Sequence, residues 1–196
     1  MKGNSLTLYI ILIFLIFGCS KDSEKNASPL VQNMETHLQK MKRDISHQNP
    51  DYDFIVLMVE HHQGAVELAK MEIANGRDAY LEQMAEKIIA VQQEEIAQML
   101  HHLTSFNYPH DNREFKTKML LALHNMEHGL NNLKLRGTTD PDFATLMMIH
   151  HKGTIEMAQA MLKHGQDTEL KSMAKKIVQQ KSEEIEEFGQ WLRRNQ

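Results

Sequence analysis

Asp53-Phe54-x-x-Leu57-Met58-x-x-His61-His62-x-Gly64-Ala65-x-x-Leu68-Ala69 is one of two matching stretches. The other is Asp142-Phe143-x-x-Leu146-Met147-x-x-His150-His151-x-Gly153-Thr154-x-x-Met157-Ala158. In both, apolar residues return every three or four positions, the period of a helix with a buried face. The step from His61 to His150 is 89 residues. Without a gap, the same step carries Asp51 to Asp140, Glu67 to Glu156, Gly76 to Gly165, Asp78 to Asp167 and Leu81 to Leu170. It also carries Met84-Ala85 to Met173-Ala174 and Glu94-Glu95-Ile96 to Glu183-Glu184-Ile185. A shorter echo precedes each copy, Met34-Glu35-x-x-Leu38 and Met126-Glu127-x-x-Leu130. The chain reads as a duplication. Each half is a lead helix, a double-His helix and a return helix, over about 34–106 and 126–195 of a helical domain spanning 29–196.

The punctuation agrees. A lead helix runs from about Pro29 to Ser46 and stops at Asn49-Pro50. Asp140 before Pro141 reads as an N-cap with proline in the first turn, and Asp51 holds the matching place. Gly76 and Gly165 stand where a helix needs a stop, and Asp78 and Asp167 can cap the next helix. Short connections make sequential helices pack antiparallel. No strand alternation, phosphate-binding glycine loop or serine elbow is present. The expected fold is an all-α antiparallel helical bundle built from a duplicated helical unit.

With 41% hydrophobic residues in 196, the chain can bury a core. Its net charge of −4 excludes a nucleic-acid binder held by a basic field. The one cysteine, Cys19, excludes an internal disulfide. Behind Lys2, the apolar run Leu6–Gly18 is about 13 residues, short of the roughly 20 that span a bilayer but right for a signal h-region. Its end, Leu15-Ile16-Phe17-Gly18-Cys19, resembles a bacterial lipoprotein signal. That implies a signal peptide over 1–18, lipid on Cys19, and a tether over 19–28. The mature protein would then be anchored in the bacterial cell envelope, at the periplasmic or outer-membrane face. With Cys19 lipidated, any soft metal must be bound without thiolate.

Twelve His and 14 Met are the compositional anomaly. Six pairs are spaced Met-x-x-His: Met34/His37, Met58/His61, Met99/His102, Met147/His150, Met148/His151 and Met161/His164. Random placement would give about one. Residues three or four apart are neighbours on a helix, so Met58 lies beside His61 and His62, and Met147 beside His150 and His151. In the second half the face continues through Thr154, Met157 and Met161, so that half is the richer in sulfur. Thioether is soft and uncharged and selects Cu(I), or Ag(I) by the same softness, while imidazole suits copper, zinc and iron. The candidate metal ligands are therefore Met58, His61, His62, Met99, His102, Met147, Met148, His150, His151, Met157 and Met161, with copper, Cu(I) first and silver second, as the cargo. Consecutive histidines point about 100° apart, so only one of each pair faces a given site squarely. Met at helical spacing is also common core filler, and Met84 and Met173 fit that role. His124 and His128 form an i, i+4 pair without a counterpart in the other half. Glu94-Glu95 reads as a solvated face, although Glu95 can share a face with Met99 and His102. A di-iron carboxylate bundle needs Glu-x-x-His twice, and the chain contains none.

The two quoted stretches resemble the signature of the domain-of-unknown-function 305 family, over roughly residues 51 to 193. The resemblance implies a ferritin-like helical bundle and, since several members are associated with copper in the bacterial envelope, a copper-binding role. Leu68 stands in the first copy where the second has Met157. The expected function is an envelope lipoprotein that binds or sequesters Cu(I) or Ag(I), with metal ion and membrane as partners. The other classes are a ferritin-like metal-dependent oxidase and a metal-independent helical interaction protein.

Overall fold

Six helices make up almost all of the described residues, which in this computed structural model are 28–45, 49–103 and 112–195. They are α1 (Pro29–Asp44), α2 (Pro50–Asn75), α3 (Ala79–His102), α4 (Arg113–Asn131), α5 (Thr139–His164) and α6 (Thr168–Arg194). The proposed signal and lipid-bearing Cys19, and nearly all of the tether, lie outside the described residues. Among the described residues no helix is long and apolar enough to cross a membrane.

Helices α2 and α5 pack on each other at the centre. Helices α3 and α6 flank them, as do α1 and α4, which also touch one another. This position explains the double-His helices. Phe54, Leu57, Met58, His61, His62, Ala65 and Leu68 are all buried on α2, as are their counterparts on α5. A helix covered on several sides is apolar nearly all round. The return helices carry a narrower stripe: Leu81, Met84, Ala85, Ile88 and Met99 on α3, and Leu170, Met173, Ala174, Ile177 and Phe188 on α6. The second lead helix starts at Arg113, well before the echo at Met126. Phe115 and Met119 bury that extra length ahead of the stretch that matches α1, whereas Ala122 and Leu123 fall opposite Leu30 and Val31, which are buried on α1.

Helix ends follow the sequence with one correction. Gly76 and Gly165 terminate α2 and α5, and Asp78 and Asp167 cap α3 and α6 with their carboxylates. Asp51 and Asp140, however, are not N-caps. Asn49 caps α2, and Thr138 occupies the cap position of α5. Each aspartate instead reaches into the other half. Asp51 Oδ1 accepts the backbone N–H groups of Gln166 at 2.9 Å and Asp167 at 3.1 Å. Asp140 Oδ1 accepts those of Arg77 at 2.8 Å and Asp78 at 2.9 Å. These donors precede the first turns of α6 and α3. The duplication thus ties its halves together by exchanged caps.

Candidate metal centre

His61 on α2 and His150 on α5 meet on the axis that relates the halves. Their rings stack at 3.6 Å between centroids, 9° from parallel. Each Nε2–H crosses to the other's backbone carbonyl, His61 to His150 at 3.2 Å and His150 to His61 at 3.0 Å. His61 Nε2 also reaches Thr154 Oγ1 at 2.8 Å, and that hydroxyl donates to the His150 carbonyl at 3.0 Å. Burial, and then the neighbouring imidazoles, hold both histidines well below the usual range. Two charged rings at this separation would repel, so the stack belongs to the neutral forms. Gly64 and Gly153 let the lead helices close over it. A Cβ on Gly64 would come within 3.0 Å of the His37 ring, and one on Gly153 would run into the Met126 sulfur. Beneath the lead helices a narrow cavity is lined by Met34, His37, Met41, His61, Met126 and His150.

The second histidine of each pair turns to its return helix. His62 Nε2 donates to Glu95 Oε2 at 2.8 Å, and His151 Nε2 lies 2.8 Å from Glu184 Oε2. Both imidazoles are fully buried. Burial lowers His62, and it lowers His151 to about 4. Burial alone would raise Glu184, but His151 and Lys181 hold it down at about 2. In His61, His62 and His150 Nε2 is hydrogen-bonded to a carbonyl or carboxylate, and in His151 it faces a carboxylate at 2.8 Å without hydrogen-bond geometry, an arrangement that leaves Nδ1 with the lone pair. The Nδ1 atoms of His62, His150 and His151 are buried without a hydrogen-bond partner.

The half-sites differ one turn before the glutamates. Lys181 is fully buried and donates to Glu184 at 3.0 Å. Gln92, its counterpart on α3, is equally buried, and neither its nitrogen nor its oxygen is hydrogen-bonded. One turn after the glutamates, α3 has Met99 where α6 has Phe188. Phe188 lies 6.0 Å from the His151 ring, centre to centre.

Of the other expected ligands, Met58 and Met147 are fully buried one turn ahead of His62 and His151, and Met99 and Met157 are fully buried too. Met157 lies two turns past His150, about 10 Å along the axis. Met161 is three turns past it, about 16 Å, at the end of α5. There it packs on Gly165, whose other close neighbour is Asp51. It is thus parted from the imidazoles. Met148 is half-buried towards Gly189. His102 sits at the end of α3 and bridges to Glu169 of α6 at 3.2 Å. His37 is clasped by Glu60 at 2.6 Å and Glu67 at 3.1 Å. His124 and His128 are exposed. Glu94-Glu95 is only half a solvated face, because Glu95 is buried against His62. The sequence signal for it is a polar pair, Gln92 and Glu95, on the same stripe as Ile88 and Met99, with Glu95 repeated as Glu184. The thioethers of Met34, Met41 and Met126 line the cavity without being among the expected ligands, although the echo of the lead helices marks two of them.

The fold is similar to that of CopM. The Cu(II)-bound form superposes with a TM-score of 0.58 at 24% identity, over 74% of this chain and 97% of that one. The Cu(I)-bound form gives 0.55 at 23%, over 74% and 96%. A DUF305 fragment from Deinococcus radiodurans gives 0.56 at 23%, over 74% and 96%. No protein of curated function matches the chain. The profile of DUF305, a domain of unknown function, matches residues 19–103 and again 107–192. The chain therefore belongs to the DUF305 family and carries its domain twice in tandem.

Proposed function

We propose that this chain binds a soft monovalent metal ion, Cu(I) or Ag(I), in its helical core. It would act as a sequestering protein of the bacterial envelope, held there by lipid on Cys19. One observation carries the metal reading: each histidine of the doubled motif has Nε2 set against a carbonyl or carboxylate, with Nδ1 left as the base. Histidine ligands of metals are oriented in this way, by an acceptor on the other ring nitrogen. The imidazoles are neutral as built, so a metal displaces no proton from them. Among the described residues no group of three His, Cys, Asp or Glu is arranged to hold a metal. A site on these imidazoles therefore draws its remaining donors from thioether sulfur, which favours Cu(I) and Ag(I) over hard cations. CopM, which shares the fold, has Cu(I)-, Cu(II)- and Ag-bound forms, which support copper and silver as the cargo.

The test separates ligand from core filler. Met and Leu are close in volume, so a buried swap costs less than about 1.5 kcal/mol and leaves the fold intact, but Leu cannot coordinate. Two variants are compared with wild type, Met58→Leu with Met147→Leu, and Met34→Leu with Met126→Leu. Cu(I) is titrated anaerobically against a chromophoric chelator, with circular dichroism as the fold control. At least one pair should weaken Cu(I) binding tenfold or more, about 1.4 kcal/mol. Wild-type affinity in both folded variants would sink the proposal.

A further inference from the structure

The halves match in backbone and in their His–Glu pairs, but not in charge. In the second half the Lys181 amino group, fully buried, lies 3.0 Å from Glu184 and neutralises it. In the first half the corresponding residue is Gln92, whose uncharged amide cannot neutralise Glu95. A buried carboxylate needs a cation or a full set of donors. Here the protein supplies one imidazole N–H, from His62, and the carboxylate otherwise faces the α3–α6 groove, while the Gln92 amide beside it on the helix is buried with no partner for either of its polar atoms. Donors differ in the same direction. The first half has the thioethers of Met58 and Met99 and the free Nδ1 of His62, whereas the second has Phe188 where Met99 would stand. Access differs as well. An open groove between α3 and α6 is lined by Glu94, Glu95, Gln98, His102 and Glu169, with Lys176 on its α6 wall. It reaches the carboxylate of the first half-site. Glu184 is not on its wall.

From this we infer that the chain's two His–Glu half-sites are unequal. The first, built on His62, Glu95 and Gln92, takes one soft monovalent cation through the α3–α6 groove. In the second, Lys181 is a resident cation that fills the same role. A +1 metal on the free Nδ1 of His62 lies across the imidazole from Glu95 and offsets its charge through the ring, where Lys181 offsets Glu184 by direct contact. The sulfur count of the sequence points to the second half, and the buried charges point to the first. This inference rests on the metal-binding reading and narrows it to one half.

Native mass spectrometry of the full chain with Ag(I) tests it, in wild type, His62→Gln, His151→Gln and Lys181→Gln. The expected result is that His62→Gln holds one silver fewer than wild type and His151→Gln holds the same number. Lys181→Gln, which gives the second half the residue that the first already tolerates, should hold one more. Equal silver counts in the two histidine variants, or a loss confined to His151→Gln, would overturn the inequality and leave core binding of silver standing. A folded Lys181→Gln chain that gains no silver would overturn the resident-cation role. If circular dichroism shows that this variant does not fold, the histidine pair decides. A wild-type chain that takes up no silver would overturn both this inference and the proposed function.

Discussion

Lys181 and Gln92 hold equivalent places with different consequences, and the difference is measurable as stability. Removing the Glu184 charge strands a lysine in the core, and breaking such a pair costs about 3–5 kcal/mol. Removing the Glu95 charge weakens the hydrogen bond from His62 but also relieves a carboxylate that has no lysine beside it, so the cost stays below about 1–3 kcal/mol. Glu184→Gln should therefore destabilise the metal-free protein more than Glu95→Gln in urea denaturation. The reverse order would contradict the charge assignment. The core histidines make a second prediction. Their folded values lie below the unfolded value of about 6.5, lowered first by burial. Below that pH the unfolded chain binds more protons, so the stability these groups contribute is present above pH 6.5 and drains away as the pH falls. The imidazole resonances of His61, His150 and His151 should hold their neutral positions from pH 7 to 5.5. Titration near 6.5 would show that the rings are wetter than the structure has them.

Among the elements, the exchanged caps at Asp51 and Asp140 hold the halves in register. Asp51→Ala would leave two backbone N–H groups ahead of α6 without their acceptor, at a cost of about 1–3 kcal/mol. Asp140→Ala should cost a similar amount at α3, both read from the urea midpoint. An effect near zero would mean that water replaces the carboxylate freely. Glu72, one turn before the Gly76 stop, is the point at which α2 departs from α5. Its counterpart is Met161. Burial, and then the nearby Asp140, push Glu72 up to about 8. A raised acid binds its proton more tightly in the folded state. Its contribution is therefore present below about pH 4.5 and lost as the pH climbs towards 8. Glu72→Met, which copies the second half, should gain stability over wild type steadily between pH 5 and 8 in thermal melts. A difference that stays constant with pH would refute the assignment.

For the molecule as a whole, the duplication places the His61–His150 stack on the axis between the halves, and the proposed lipid on Cys19 would set the bundle at a membrane surface. Several acyl chains anchor stably where one binds only marginally. Cys19→Ser should move the protein from the membrane fraction to the soluble fraction, or leave it unprocessed by mass. Unchanged fractionation and mass would rule lipidation out. Much of the architecture was legible because its causes are local. Three- and four-residue spacing made the helices, Gly76, Gly165, Asp78 and Asp167 punctuated them, and the 89-residue step that recurs in the His61–His150 contact announced two equivalent halves. The chemistry was less legible because its causes are not local. Neighbouring histidines point about 100° apart, and which of them meets the other half and which meets a return helix depends on how α2 and α5 are rotated against each other. Gln92 and Lys181 share the apolar stripes of their helices, which marks them as unusual, but the stripe does not say which groups face them. Packing decides that, and it sets one lysine as a fixed charge beside Glu184 and leaves Glu95 without its equivalent.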